Sequence, residues 1–183
     1  MDTLEVEALC VRAIDFKDND KIITLYSTEK GKILVSAKGC KKPKAKLKFA
    51  ASPFCFGHYT LAQKGNNYSL IGCELYDSFY DIALDPFKYY AGMVILEILD
   101  KMGLENEFNL AFFTTSLKAL KKICYESQDV KKDLYTYLNE VTLSLGYKCN
   151  AISFIEFYNY YLHQLEVKIV SLREFIDLIL PKA

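Results

Sequence analysis

The stretch KIITLYS-TEKG-KILVSA, residues 21–37, decides the fold of the first half of this chain. Its first seven residues are rich in β-branched side chains, which favours a strand, and its last six form a second apolar run. Between them lies the turn Thr28–Gly31, in which Gly31 can adopt the positive φ angle that a tight hairpin needs. The stretch therefore predicts a β-hairpin.

Three more strands are predicted around this hairpin. Leu4–Val11 precedes it, and alternate residues of that run form one apolar face: Leu4, Val6, Ala8 and Cys10. Phe54–Gln63 and Tyr68–Ser78 follow it, separated by the turn signal Gly65–Asn67. Five short strands suit a small closed barrel, for which the OB-fold is the commonest five-stranded solution, while the spacing alone leaves an SH3-like barrel open.

The spacing of the apolar residues changes to that of a helix after Asp85 and Pro86. These two residues are a helix cap followed by a proline at the first helical position. The predicted helices cover Phe87–Met102, Glu107–Ser127, Asp129–Leu145 and Ile152–Leu165. A capping box at Ser171–Glu174 predicts a short last helix that closes before Pro181. We therefore expect an α+β protein with an OB-fold barrel over residues 1–80 and a helical domain over residues 81–183.

Charge distribution matters more than net charge in this chain. The 183 residues are 51% hydrophobic and 25% charged, which is typical of a folded protein, and the formal net charge is zero. A general attraction to polyanions is therefore not expected. Nearly all cations are lysines, and Arg12 and Arg173 are the only arginines. Lysine suits backbone phosphates, whereas the arginine fork is the usual reader of base edges, so contact indifferent to sequence is favoured.

The six cysteines do not indicate a metal site or a disulfide framework. None lies in a C-x-x-C pair, and the chain has only two histidines. We expect no signal peptide, because acidic residues interrupt the start of the sequence, and no apolar run approaches the ~20 residues of a membrane span. We expect a cytoplasmic protein with reduced thiols and no cofactor.

The strongest local signal is the lysine segment, Lys38–Lys48, in which no acidic residue occurs. Its six ammonium groups repel one another, and a polyanion would relieve that repulsion. Gly39 and Pro43 predict a loop projecting from the strand that ends at Ala37. A solubilising surface loop is the alternative, but small barrels commonly bind nucleic-acid backbones. The candidate contacts are Lys38, Lys41, Lys42, Lys44, Lys46 and Lys48, with Arg12 and Lys32 as possible extensions.

Catalysis finds no support in the sequence. There is no glycine-rich phosphate loop and no nucleophile elbow, so we expect a protein that is not an enzyme. Asp15, Asp18 and Asp20 lack the glycine and terminal glutamate of a calcium loop, which predicts a solvated acidic loop. Among the many aromatic residues, Tyr68 is the one least explained by core packing.

Taken together, these residues resemble the RecO family of bacterial recombination mediators. The resemblance spans residues 5–147, and the lysine segment is its most telling part. The matching stretches are Glu7–Asp15, Asp20–Lys32, Ala37–Leu47, Pro53–Phe54, Cys73–Phe79, Ile95–Asp100 and Leu145–Tyr147. Many family members carry a four-cysteine zinc module after the last stretch. Only Cys149 follows here, so we expect zinc to be absent.

The resemblance implies a DNA-binding mediator of recombination and repair. Such proteins bind single- and double-stranded DNA, anneal strands coated by single-stranded-DNA-binding protein, and act with RecR to help load RecA in the bacterial cytoplasm, at the nucleoid. The helical half would then contact protein partners. Lys118, Lys121 and Lys122 could form a basic rim for the acidic tail of the single-strand-binding protein. From the residues alone, an RNA-binding barrel and an adaptor for acidic peptides remain open.

Overall fold

The computed structural model describes residues 2–180, which form two compact units. The barrel unit runs up to Ser78 and includes Met102–Asn109, and the helical unit comprises Phe79–Lys101 and the chain from Leu110 onward. The segment Met102–Asn109 therefore belongs with the strands, although part of it was predicted to be helical. No helix in the described part of the chain is long and apolar enough to cross a bilayer.

The barrel unit contains the five predicted strands in a closed sheet. The strands are β1 (Asp2–Phe16), β2 (Asp20–Ser27), β3 (Gly31–Ala37), β4 (Phe56–Lys64) and β5 (Asn67–Asp77). Their order around the barrel is β1-β2-β3-β5-β4, and β1 pairs antiparallel with both β2 and β4. β3 and β5 complete the closure through a short parallel ladder. This five-stranded closed barrel confirms the predicted OB-fold.

The interior of the barrel follows the period of two that the sequence shows. On β1 the predicted apolar face is buried at Val6, Ala8 and Cys10, while Leu4 packs partly against the same core. The register of β1 against β2 shifts between Cys10 and Arg12, which marks a β-bulge. A bulge bends and twists a strand, and this one lets β1 turn from β4 toward β2.

Gly31 is required at the β2–β3 turn for two reasons. Its φ angle is +62°, in the left-handed region that favours glycine. A Cβ atom there would also overlap the carbonyl oxygen of Glu107. The segment Met102–Asn109 approaches this closely because the N–H of Lys32 donates to the carbonyl of Leu104 at 3.0 Å and Glu105 forms β-bridges with the turn.

The helical unit contains five α-helices among the described residues. A short 3₁₀ turn, Tyr80–Leu84, precedes them, and π-helical turns at Lys122–Glu126 and Tyr160–Gln164 extend the second and fourth helices. The predicted start at Asp85 is confirmed, because its carboxylate accepts the N–H of Lys88 at 3.0 Å. The helices are α1 (Pro86–Met102), α2 (Leu110–Lys121), α3 (Val130–Ser144), α4 (Phe154–Asn159) and α5 (Val170–Ile179).

The predicted capping box of the last helix is wrong. α5 begins at Val170, so Ser171 lies inside the helix instead of capping it. The cap comes from Glu97 on α1, whose carboxylate accepts the N–H groups of Val170 at 2.9 Å and Ser171 at 2.7 Å. Lys101 lies 2.6 Å from the same carboxylate. The prediction that this helix closes before position 181 is confirmed, because α5 ends at Ile179 and Leu180 is its C-cap.

The pKa of Glu97 is consistent with its role as the cap of α5. Partial burial on its own would raise the pKa, but the hydrogen bonds from Lys101, Ser171 and Val170 outweigh it, and the pKa lies below its usual value. The ionised carboxylate is therefore the form that holds α5 in place.

We predict that Glu97→Gln destabilises α5 by about 1 to 2 kcal/mol, because an amide offers one acceptor oxygen where the helix needs two. Amide hydrogen exchange over α5 measures the loss. The pKa of Glu97 is lower in the folded protein than in the unfolded chain. Its contribution to stability is therefore complete at pH values above the pKa of the unfolded chain, and it is lost as the pH falls through the pKa of the folded protein. Glu174→Gln, at an exposed position of α5, is the control. If the amide protons of α5 were equally protected from exchange in the two variants, the proposed capping of α5 by Glu97 would be wrong.

Candidate nucleic-acid interface

The lysine segment is folded onto the barrel and does not project from it. Residues 38–54 consist mostly of turns, with the N–H of Lys42 donating to the carbonyl of Gly39 at 3.2 Å and that of Ala45 donating to the carbonyl of Lys42 at 3.0 Å. The prediction of a projecting loop is wrong because apolar residues within and just after the segment are buried in the barrel core, namely Cys40, Ala50 and Ala51, with Leu47 packed against them.

Two aspartates fasten the start of the lysine segment. Asp20, the first residue of β2, accepts the N–H of Gly39 at 2.7 Å. Asp15, near the end of β1, forms an ion pair of 2.6 Å with Lys41, and this hydrogen bond lowers the pKa of Asp15. The acidic residues between the first strands were predicted to be a solvated loop. That prediction is wrong for Asp15 and Asp20, which instead order the basic segment.

The residues that follow the segment are fastened from inside the barrel. The buried hydroxyl of Tyr59 lies 3.1 Å from the carbonyl oxygen of Ala50 and 3.2 Å from that of Cys55. Burial raises the pKa of Tyr59, so its hydroxyl keeps its proton and remains a donor. Lys21 of β2 donates to the carbonyl of Ala51 at 3.2 Å. Both ends of the lysine segment are thus held by the barrel.

The lysine side chains differ in their availability. Lys41 is half-buried and paired with Asp15, whereas the other five lysines of the segment are exposed: Lys38, Lys42, Lys44, Lys46 and Lys48. Arg12 is exposed on β1 opposite Thr24, and Lys32 is half-buried on β3. The structure therefore gathers five accessible ammonium groups on one ordered segment. Their contact with nucleic acid stays a prediction.

Beside the lysine segment, the outer face of β3 forms one side of a groove of about 680 Å³. The turn Asn66–Asn67 and the start of β5 form another side, and Glu105 and Asn106 complete the lining. The sequence interpretation missed this groove because Glu105 is far from β3 in sequence. The one available signal was the outward alternation along β3, which reads Lys32, Leu34 and Ser36 and is followed by Lys38 just after the strand.

The candidate partner-binding lysines lie on the helical unit. Lys118 and Lys122 line a cleft of about 260 Å³, and Lys121 lies outside that lining. Asp133 and Glu140 line the same cleft, and Lys122 forms an ion pair of 2.8 Å with Asp133. The cleft therefore carries both signs of charge, in contrast to the purely basic rim expected from the sequence.

Residues 2–180 contain no group of three or more histidine, cysteine or acidic side chains placed to hold a metal ion. The six cysteines are free thiols. Burial raises the pKa of Cys10 well above that of an exposed thiol, so this residue stays protonated in the core.

Comparison with known proteins identifies the barrel. Residues 1–79 match the family described as "Recombination protein O N terminal". The barrel belongs to the RecO family. Proteins named DNA repair protein RecO are similar over a longer stretch: that of Shouchella clausii is 34% identical over 117 residues, or 64% of this chain and 46% of the relative. That of Acetivibrio thermocellus is 30% identical over 67% of this chain and 50% of the relative.

The similarity extends into the helical unit for some relatives. The DNA repair protein RecO of Clostridium novyi is 28% identical over 144 residues, which is 78% of this chain and 56% of the relative. The chain thus spans about half the length of the curated relatives it matches. The expected RecO resemblance is confirmed, and the OB-fold is the fold of this family's N-terminal domain.

We predict that Asp15→Asn strengthens polyanion binding about two- to fivefold, because it releases Lys41 from a surface ion pair. Fluorescence anisotropy with a labelled oligonucleotide measures the change. Asp18→Asn is the matched control, since Asp18 is exposed in the turn between β1 and β2 and the change in net charge is identical. Equal gains in both variants would show that net charge matters and that the release of Lys41 does not.

Proposed function

We propose that this protein is a DNA-binding recombination mediator in DNA repair and that the lysine segment is its main contact with the DNA backbone. The observation that supports this most is the set of five exposed lysines on an ordered segment of a RecO-family OB-fold. The other cations of the described chain form no comparable run. The same backbone charge is present on single and double strands, so the segment would bind both.

Annealing follows from this chemistry. Two complementary strands repel each other through their phosphates, and lysines placed between them reduce that repulsion. Each ammonium contact also releases condensed counterions, which contributes entropy to binding. Lysine does not read base edges bidentately, so base pairing itself supplies the sequence specificity. The proposed role needs no catalytic residue and no cofactor.

The proposed partners follow from the family. We propose that the protein acts with RecR to help load RecA on DNA coated by single-stranded-DNA-binding protein, in the bacterial cytoplasm and at the nucleoid. The cleft lined by Lys118 and Lys122 is our candidate site for the acidic tail of the single-strand-binding protein. Lys122 would have to exchange Asp133 for the tail, which favours a weak and reversible contact.

We predict that replacing Lys42, Lys44 and Lys46 together by glutamine weakens DNA binding and its salt dependence. The slope of log affinity against log salt should fall by about two for single strands and by about three for duplex, since three phosphate contacts are lost. The control is Lys132, Lys148 and Lys168 to glutamine, three exposed positions of the helical unit. Unchanged slopes in the first variant would refute the lysine segment as the DNA site.

The preference of the protein for DNA or RNA also tests the proposal. Titration with DNA and RNA of equal length and sequence, at several salt concentrations, separates a DNA mediator from an RNA-binding barrel. We expect DNA to bind at least as tightly as RNA. A marked preference for RNA would overturn the proposed function even if the lysine variants behave as predicted.

We predict that the protein accelerates the annealing of complementary strands precoated with single-stranded-DNA-binding protein, and that the triple glutamine variant loses most of this acceleration. A fluorescence-quenching assay with labelled strands measures the rate. The same assay on uncoated strands shows whether displacement of the coat or pairing itself is affected. If neither reaction is accelerated at salt concentrations where DNA is bound, the mediator role is wrong.

A further inference from the structure

Three cysteine side chains meet inside the barrel. Cys10 of β1 and Cys55, the residue before β4, are neighbours across the sheet, because the N–H of Cys10 donates to the carbonyl of Cys55 at 2.8 Å. Both side chains are buried in the barrel core, and Cys73 of β5 packs against the same core from a partly exposed position. The proposed DNA contact does not use these thiols, but thiols that lie together can be oxidised together.

Gly57 brings the thiol of Cys73 toward that of Cys55. Cys73 lies opposite Tyr59 in the register of β4 against β5, and Gly57 lies between Tyr59 and Cys55 along the chain. Because glycine has no side chain, the Sγ atom of Cys73 can lean over this position, and it lies 3.3 Å from where a Cβ atom at Gly57 would stand. From there the Cys73 thiol donates a hydrogen bond to the sulfur of Cys55.

The two thiols differ in access and in proton affinity. The side chain of Cys55 is 3% exposed, whereas Cys73 is partly open to solvent, so a small oxidant in water meets Cys73 first. The hydrogen bond from Cys73 lowers the pKa of Cys55, and although burial opposes this, the hydroxyl of Tyr59 adds to it. Cys55 therefore becomes a thiolate more readily, and the thiolate is the form that attacks a second sulfur atom.

We propose that Cys55 and Cys73 form a reversible oxidation site that hydrogen peroxide converts to a disulfide. In the first step the sulfur of Cys73 attacks one peroxide oxygen, the O–O bond breaks, and the products are a sulfenic acid and water. In the second step the sulfur of Cys55 attacks the sulfur of Cys73, the S–O bond breaks, and a second water leaves. The two thiols together lose two electrons and two protons, and one peroxide is reduced to two waters.

The disulfide joins β5 to the end of the connection between β3 and β4, which carries the lysine segment. Phe54, immediately before Cys55, has a φ angle of +71°, which is rare for a bulky residue, and its N–H donates to the carbonyl of Cys10 at 3.0 Å. A covalent link at Cys55 holds this strained junction in place. The hydrogen bond to Cys55 and burial raise the pKa of Cys73, so the first step is slow and needs a high concentration of peroxide.

Peroxide treatment of the full chain, followed by digestion with trypsin and mass spectrometry, tests the site. Trypsin separates the three thiols into different peptides, because it cuts after Arg12, Lys48 and Lys64. We expect peroxide to link the peptides of Cys55 and Cys73 with the loss of two hydrogen atoms, and dithiothreitol to separate them again. Cys124→Ser, at a buried thiol of the helical unit, is the matched control and should react like the wild type.

Two further variants separate the two steps. Cys55→Ser removes the condensing thiol, so the sulfenic acid on Cys73 should persist and react with dimedone. Cys73→Ser removes the accessible thiol, so peroxide should link no peptide to that of Cys55. A missing dimedone adduct in Cys55→Ser would overturn the proposed order of the steps.

Two results on the wild-type chain would overturn the site itself, whatever the effect of the variants on folding. One is a disulfide that joins Cys10 to Cys55. The other is the absence of any link between Cys55 and Cys73 at peroxide concentrations that oxidise Cys149, the other partly exposed thiol of the described residues. The site does not depend on the proposed function, and neither result bears on DNA binding.

Discussion

The bend in β1 is the feature on which the rest of the barrel depends. The first part of this strand pairs with β4 and the last part with β2, and the register shift between Cys10 and Arg12 lets one strand serve both neighbours. A sheet that closes in this way has no free edge on β1 that another chain could extend. The bend also carries the end of β1, with Asp15, to the place where Lys41 meets it.

The pairing between β3 and β5, which closes the barrel, is much shorter than the other strand pairings. This has consequences for the lysine segment and the groove. Only Val35–Tyr68 and Ser36–Ser69 are paired there, and Leu34 on the outer face of β3 is 57% exposed. The chain must then run from the end of β3 to the start of β4, and it does so along the barrel with Cys40, Ala50 and Ala51 buried in the core. Ordering the lysines in advance would reduce the entropy lost in the proposed binding of a nucleic-acid backbone.

Much of the fold could be predicted from local patterns. Period-two alternation located the strands, and the Asp85–Pro86 pair located α1, because both signals depend on residues that are neighbours in sequence. The errors share a different cause. The cap of α5 by Glu97, the position of Glu105 against β3 and the ties from Asp15 and Asp20 all join residues distant in sequence. At Ser171 the local signal for a cap was present, but a distant carboxylate took that role.

The candidate site also has one part that local sequence patterns predicted and one part that they did not. The lysine segment was visible in the sequence because its charge is contiguous, whereas the groove combines β3, the β4–β5 turn and Glu105 and has no contiguous signal. The order of the segment was also hidden, since it depends on small apolar residues such as Ala50 and Ala51 that read as ordinary loop composition.

A net charge of zero adds a constraint to the proposed mechanism. Long-range steering of DNA requires a net field, and at physiological ionic strength a field decays within about 8 Å. Affinity must therefore come from ammonium groups already placed at contact distance, which the anchored segment provides. An attraction of this kind is short in range and sensitive to salt. In the proposed mechanism it would hold two strands close while leaving each free to exchange partners, which annealing by base pairing requires.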